Sequence, residues 1–134
     1  MIEDNAGDIE LTRSALDELD QDIELISFQE GALAWDYLHE NHPSVDLILL
    51  DLNLPKLSGF ELLLRLGKYE AVSRIPRLVF STSSAQRDVH KAYQLGANAY
   101  LVKPGGFGEF KVIIKEICRF WLNNVTLANY NEDL

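Results

Sequence analysis

Cysteine is nearly absent. Cys118 is the single thiol, so no disulfide can close within the chain, and no cluster of Cys and His suggests a zinc site. Basic residues are scarce as well: twelve Lys and Arg stand against twenty-one Asp and Glu, a net charge of -9. That sign is wrong for gripping a phosphate backbone, which excludes direct nucleic-acid binding as the expected role. No apolar run approaches the roughly 20 residues of a membrane span. The N-terminus also lacks a basic region followed by an apolar stretch. A reducing, cytoplasmic setting without membrane contact is therefore the expectation. What is present is a chain of 134 residues, enough for one domain that buries about two-thirds of its unfolded surface without staples.

Apolar and polar segments alternate along it without repeats. Asp8 to Leu19 carries Ile9, Leu11, Leu16 and Leu19 among charges, an amphipathic helix capped from the turn residues Asn5 to Asp8. Ile23 to Phe28 (IELISF) reads as a strand, and ALAWDYLHEN as a helix that ends before Pro43. Val45 to Leu52 is almost continuously apolar, the mark of a central strand covered on both faces. Ser58 to Tyr69 is helical, RLVFSTSS is a strand running into a polar loop, and AQRDVHKAYQLGA is a helix closed by Gly96. AYLVKP is a short strand. Phe110, Ile113, Ile114, Ile117 and Trp121 then mark one face of a long helix over Phe107 to Asn123. Residues 1–125 form the expected domain and 126–134 a polar tail that frays.

Four strands and five helices in strict alternation argue for an α/β, doubly wound parallel sheet with helices on both faces. One strand is short of residues. Five helices, each following a strand, require a strand before the first, where only Met1 and Ile2 precede Glu3. A central strand normally needs about five residues, so MIEDN reads as the truncated end of one. Open α/β sheets place their ligands beyond the carboxyl ends of the strands. Three other strand ends deliver polar groups there: Asp51 after the apolar run, Ser81 and Thr82 after LVF, and Lys103 after AYLV. Each alone reads most simply as a cap or a surface residue. Together with Glu3 and Asp4 they make three acids, a hydroxyl and a lysine at one edge. Carboxylates so placed repel one another without a cation, and hard oxygen ligands favour Mg²⁺. The lysine and hydroxyl have the inventory to hold a phosphoryl group.

These residues resemble the receiver domains of two-component response regulators. The resemblance rests on EDN at Glu3 to Asn5, LLDLNLPKLSG at Leu49 to Gly59, FSTS at Phe80 to Ser83 and GANAYLVKP at Gly96 to Pro104. The spacing is similar too, 30 residues from Asp51 to Ser81 and 22 from Ser81 to Lys103. Within the family the chain looks most like stand-alone receivers that partner bacterial phytochromes, judged by EDNAGDIELT, LDLNLPKLSG, FSTS and the FWL near the C-terminus. The resemblance implies a flavodoxin-like, five-stranded sheet of order 2-1-3-4-5 with five helices. It implies a phosphoacceptor rather than a turnover enzyme. Asp51 would take a phosphoryl group from a sensor histidine kinase or phosphotransfer protein, and Glu3, Asp4, Asp51 and the backbone carbonyl of Asn53 would hold Mg²⁺. Lys103 would pair with Asp51 and then with a phosphoryl oxygen. Ser81, with Thr82 as the competing hydroxyl, would bind another phosphoryl oxygen and act as the switch. Tyr100 would follow it, altering the face of the fourth helix, fifth strand and fifth helix toward a downstream protein target. A cis Lys103-Pro104 bond and a homodimer are further implications.

The glycine-rich run after Pro104 departs from the family pattern. Phe120 and Trp121, adjacent on a helix, cannot both face the core, so one packs inward and the other is open to a dimer contact. His39, His42 and His90 read as surface residues and Cys118 as packing. Two rival functions fail on residues: a flavin carrier needs a Ser/Thr/Gly phosphate loop where Asn5-Ala-Gly-Asp stands, and a dehalogenase-type phosphatase needs a second Asp where Asn53 stands. The alternative that survives is a receiver fold acting as a phosphorylation-independent interaction module. For the short first strand, the expectation is that Met1 is internal to the native reading frame, or that a partner chain or distorted packing fills the gap.

Overall fold

The structure, a computed structural model, describes residues 1–128. Helix α1 (Ala6–Asp17) opens with Asn5 as its cap, whose side chain accepts the Asp8 N–H. Helix α2 (Gly31–Asn41) runs into a tight turn at His42–Ser44. Strand β1 (Ile48–Leu50) leads to α3 (Gly59–Lys68), which Ser58 caps by accepting the Glu61 N–H. A one-turn helix α4 (Glu70–Ser73) follows, then β2 (Arg77–Ser81), α5 (Gln86–Gln94), β3 (Ala99–Val102) and α6 (Phe107–Arg119). Phe120–Asn124 continues α6 as a wider turn, closed by the Val125 N–H on the Phe120 carbonyl.

The three strands are parallel, in the order β1-β2-β3. Their alternating side chains separate two apolar layers. On one side Ile48, Leu50 and Val79 pack with Leu38 of α2, Leu62, Leu63 and Leu66 of α3 and Ala92 of α5. On the other, Leu49, Leu78 and Phe80 pack with Ala15 of α1 and Phe110, Ile114 and Ile117 of α6. The doubly wound arrangement is thus as expected.

The five-stranded sheet is not. Ile2 alone makes the ladder on the far side of β1, pairing in parallel with Leu50 and, on its other edge, with Phe28. These are isolated pairings, and Ile23 to Phe28 is extended backbone rather than a strand. A strand needs a run of ladder bonds, and this segment makes them only through Phe28 and the Ile26 carbonyl, to Met1 and Glu3.

Other departures are smaller. The helix α4 was not expected. The described peptide bonds are all trans, Lys103-Pro104 included. Gly105 and Gly108 meet open space and have no positive φ, so the turn into α6 does not require them. Trp121 packs against the second layer while Phe120 is 53 % exposed, as their adjacency implied. His42 is half-buried rather than on the surface, with its ring edge-on to Tyr69. Of the expected tail, residues 126–128 carry no regular structure, and 129–134 lie outside the described residues. Among the described residues no helix is long and apolar enough to cross a membrane.

Candidate functional site

The carboxyl ends of Ile2, β1, β2 and β3 converge on one edge. The apolar run ends in Asp51, whose backbone N–H bonds the Ile2 carbonyl at 3.0 Å, locking the two strand ends together. The loop after it turns back sharply through Lys56 at φ 63°. It returns at Gly59, where a Cβ would stand 2.4 Å from the Asp51 carbonyl oxygen and 2.6 Å from Leu52 Cα. Only glycine lets α3 start so close to the strand end.

Glu3, Asp4 and Asp51 each offer a carboxylate oxygen within 4.8 Å of the others. Glu3 and Asp51 are buried and Asp4 is exposed. Burial pushes the Glu3 carboxyl up to about 7; the Lys103 hydrogen bond acts against this and the Asp51 charge adds to it. An all-oxygen set with one open side suits a hard divalent cation such as Mg²⁺ or Mn²⁺.

Lys103 enters this cluster from the end of β3. Its backbone N–H bonds the Ser81 carbonyl at 2.7 Å, which fixes where the side chain departs. The side chain is 5 % exposed, and its ammonium donates to Glu3 Oε1, to Asp8 Oδ2 at 2.9 Å and to Asp51 Oδ2 at 3.3 Å. Burial alone would lower its pKa, but the bonds to Glu3 and Asp8 outweigh it and the value is raised. Lys103 therefore stands as the shared counter-ion of three carboxylates, with Asp51 the most distant.

Asp8 was not singled out from sequence. It lies in the first turn of α1, where an acid reads as a complement to the helix end, and nothing in its spacing ties it to a residue 95 positions away.

Ser81 is fully buried at the end of β2, and its Oγ accepts the Ser83 N–H at 3.2 Å. Thr82 is exposed. The Asn53 N–H points at Asp51 Oδ1 from 3.4 Å. Tyr100 is half-buried on β3, and its hydroxyl donates to the Ser83 carbonyl at 2.8 Å. The ring is thereby tied to the loop that follows Ser81. Glu3, Asp4, Asp51 and Lys103 are thus brought together, while Ser81 ends β2 beside Lys103 and the Tyr100 hydroxyl is engaged with Ser83.

A family model described as the response regulator receiver domain matches residues 1–115. The response regulator Rcp1 of Synechocystis is 37 % identical over 132 residues, covering 95 % of this chain and 90 % of that protein. A phosphorylated cyanobacterial phytochrome response regulator, RcpA, superposes with a TM-score of 0.88 at 37 % identity, covering 94 % of each chain. The Mn²⁺-bound form of Rcp1 gives the same TM-score and identity, covering 95 % of each. With the acidic edge and its lysine in place on a doubly wound sheet, the chain belongs to the response-regulator receiver domains.

Proposed function

We propose that the chain is a single-domain response regulator that accepts a phosphoryl group on Asp51 from a phosphohistidine of a sensor kinase or phosphotransfer protein. The observation that carries this reading is the buried Lys103 ammonium shared by Glu3, Asp8 and Asp51 at the open strand edge. An Asp51 carboxylate oxygen attacks phosphorus, the N–P bond of the donor breaks, and the imidazole leaves with its electron pair. The product is an acyl phosphate.

Glu3, Asp4 and Asp51, with the Asn53 carbonyl, would hold Mg²⁺; when bound, such an ion offsets charge on the phosphoryl oxygens. Lys103 orients Asp51 beforehand and turns to a phosphoryl oxygen afterwards. The Ser81 hydroxyl, whose oxygen already accepts the Ser83 N–H, donates its proton to another phosphoryl oxygen. Thr82, exposed to solvent, is the less suited hydroxyl. A phosphoryl group adds about 1.5 to 2 negative charges, enough to draw the Ser81 loop inward. Tyr100 moves with that loop through its bond to the Ser83 carbonyl, and the face of α5, β3 and α6 changes. This face exposes Tyr93, Val102 and Phe107, apolar surface for a downstream protein or for a second copy of the chain. Similarity to phytochrome-associated receivers supports a cytoplasmic, phytochrome-type sensor kinase as donor.

Incubation with Mg²⁺ and acetyl phosphate tests the reading. The intact mass should rise by one phosphoryl group in the wild type and not in Asp51→Asn. No rise in folded wild-type protein would leave a receiver fold that acts as an interaction module without phosphorylation.

A further inference from the structure

A lysine ammonium has three N–H donors, and Lys103 commits all of them: to Glu3 Oε1, to Asp8 Oδ2 at 2.9 Å and to Asp51 Oδ2 at 3.3 Å. Burial acts to lower the lysine pKa, the bonds to Glu3 and Asp8 raise it, and Asp51 adds only the attraction of its charge. Asp8 is thus a principal holder of the cation, and Asp51 the lesser one. A phosphoryl oxygen can reach the ammonium only as one of the three bonds is given up.

Asp8 is fixed where it can compete. Its backbone N–H donates to Asn5 Oδ1 at 3.1 Å and its carbonyl accepts the buried Thr12 hydroxyl at 2.8 Å, which sets the first turn of α1 on both sides of the residue. The Asp8 side chain is 20 % exposed and the Lys103 side chain it meets is buried, so the pair is screened little by water. Among the described residues the carboxylates placed to share a metal ion are Glu3, Asp4 and Asp51. Asp8 stands outside that group and acts through Lys103.

We infer that Asp8 is a positioning residue, which draws the Lys103 ammonium away from Asp51 and so loosens the grip of this edge on a phosphoryl group there. The inference rests on Asp51 being the phosphoacceptor. Phosphorylation turns the Asp51 carboxylate into an acyl phosphate, and its bond to Lys103, the longest of the three with a stated length, is the one surrendered. Asp8 keeps its own. The cation that faces the phosphoryl oxygens is then shared with a second carboxylate, which also repels them. Removing that negative charge from a site this buried should be worth about tenfold in affinity for an anionic group on Asp51.

Beryllofluoride takes a carboxylate oxygen as its fourth ligand and stands in for a tetrahedral phosphoryl group. Its affinity in the presence of Mg²⁺, read by fluorine NMR titration, tests the inference in the wild type, Asp8→Asn, Asp8→Ala and Glu10→Gln. Asparagine keeps the shape of position 8 and both of its backbone bonds, and alanine leaves no side-chain oxygen for the ammonium. Glu10 is an exposed acid of the same helix that pairs with Arg13 instead. Both Asp8 variants should bind about tenfold more tightly than the wild type, and Glu10→Gln should stay within about twofold of it. A merely structural role for Asp8 would loosen binding, not tighten it. Unchanged or weaker binding in the Asp8 variants, or equal tightening in Glu10→Gln, overturns the inference while leaving Asp51 as the acceptor. A folded wild type that binds no beryllofluoride refutes Asp51 as the acceptor, and the inference falls with it.

Discussion

Replacing Glu3 with Gln should flatten a pH dependence of stability that the site geometry imposes. Glu3 is buried beside Asp51, and its carboxyl is raised from the ordinary 4.5 to about 7. Between those values the folded chain holds a proton that the unfolded chain has released. Stability therefore falls as pH rises through the window, and the gain is present only below it. At about 1.4 kcal/mol per pKa unit, the loss across the window is at most about 3.5 kcal/mol. The Met1 amine works in the opposite sense. Its folded pKa of about 6 lies below the ordinary 8.0, so stability rises with pH between those values. The difference between wild type and Glu3→Gln cancels the amine, because both chains carry it. The amide keeps the shape of the carboxyl and can still accept from Lys103. Urea unfolding with metal chelated, at half-unit steps from pH 4.5 to 8, is the assay. The wild type should lose midpoint relative to the variant by on the order of 1 M as pH rises. A wild-type-minus-variant difference that stays constant across the window would refute the burial argument.

Five other substitutions follow from the same geometry. Lys103→Met removes the cation shared by three carboxylates and should cost about 3 to 5 kcal/mol of stability at pH 7.5 without metal, read by urea unfolding; a change below about 1 kcal/mol would contradict the shared pairing. Gly59→Ala places a Cβ against the Asp51 carbonyl and should destabilise by about 1 to 3 kcal/mol, with shifted backbone NMR signals at Asp51 and Leu52. Tyr100→Phe removes the bond to Ser83 and should cost about 1 kcal/mol, with altered Ser83 and Ser81 amide shifts. Trp121→Ala should cost more than 2 kcal/mol, whereas Phe120→Ala, at a half-exposed ring, should stay within about 0.5 kcal/mol; equal costs would contradict the inward and outward assignment.

The parts of the fold that were readable from sequence are those where the local apolar pattern and the pairing agree. The run Val45 to Leu50 announces a strand covered on both faces, and β1 is so covered. The stripe Phe110, Ile114 and Ile117 announces the buried face of α6. IELISF carries the alternation of a strand as well, yet a strand is defined by its ladder, and here only Phe28 and the Ile26 carbonyl join one, to Met1 and Glu3. Local pattern does not report which backbone groups pair. The acidic edge was legible because Glu3, Asp4, Asp51 and Lys103 are each delivered by a strand end, which topology brings together. Asp8 was not, since its helix-end position accounts for it without any partner. That Lys103 lies closer to Glu3 and Asp8 than to Asp51 is likewise a matter of side-chain reach, which spacing does not encode.

The central claim, that Asp51 takes the phosphoryl group at this edge, is tested most directly by locating the label. After incubation with Mg²⁺ and acetyl phosphate, borohydride reduces an acyl phosphate of aspartate to homoserine, and peptide mass analysis then reports the residue. Homoserine should appear at position 51 alone, and only in protein incubated with both reagents. Reduction at another carboxylate, or none in folded protein, would contradict the account.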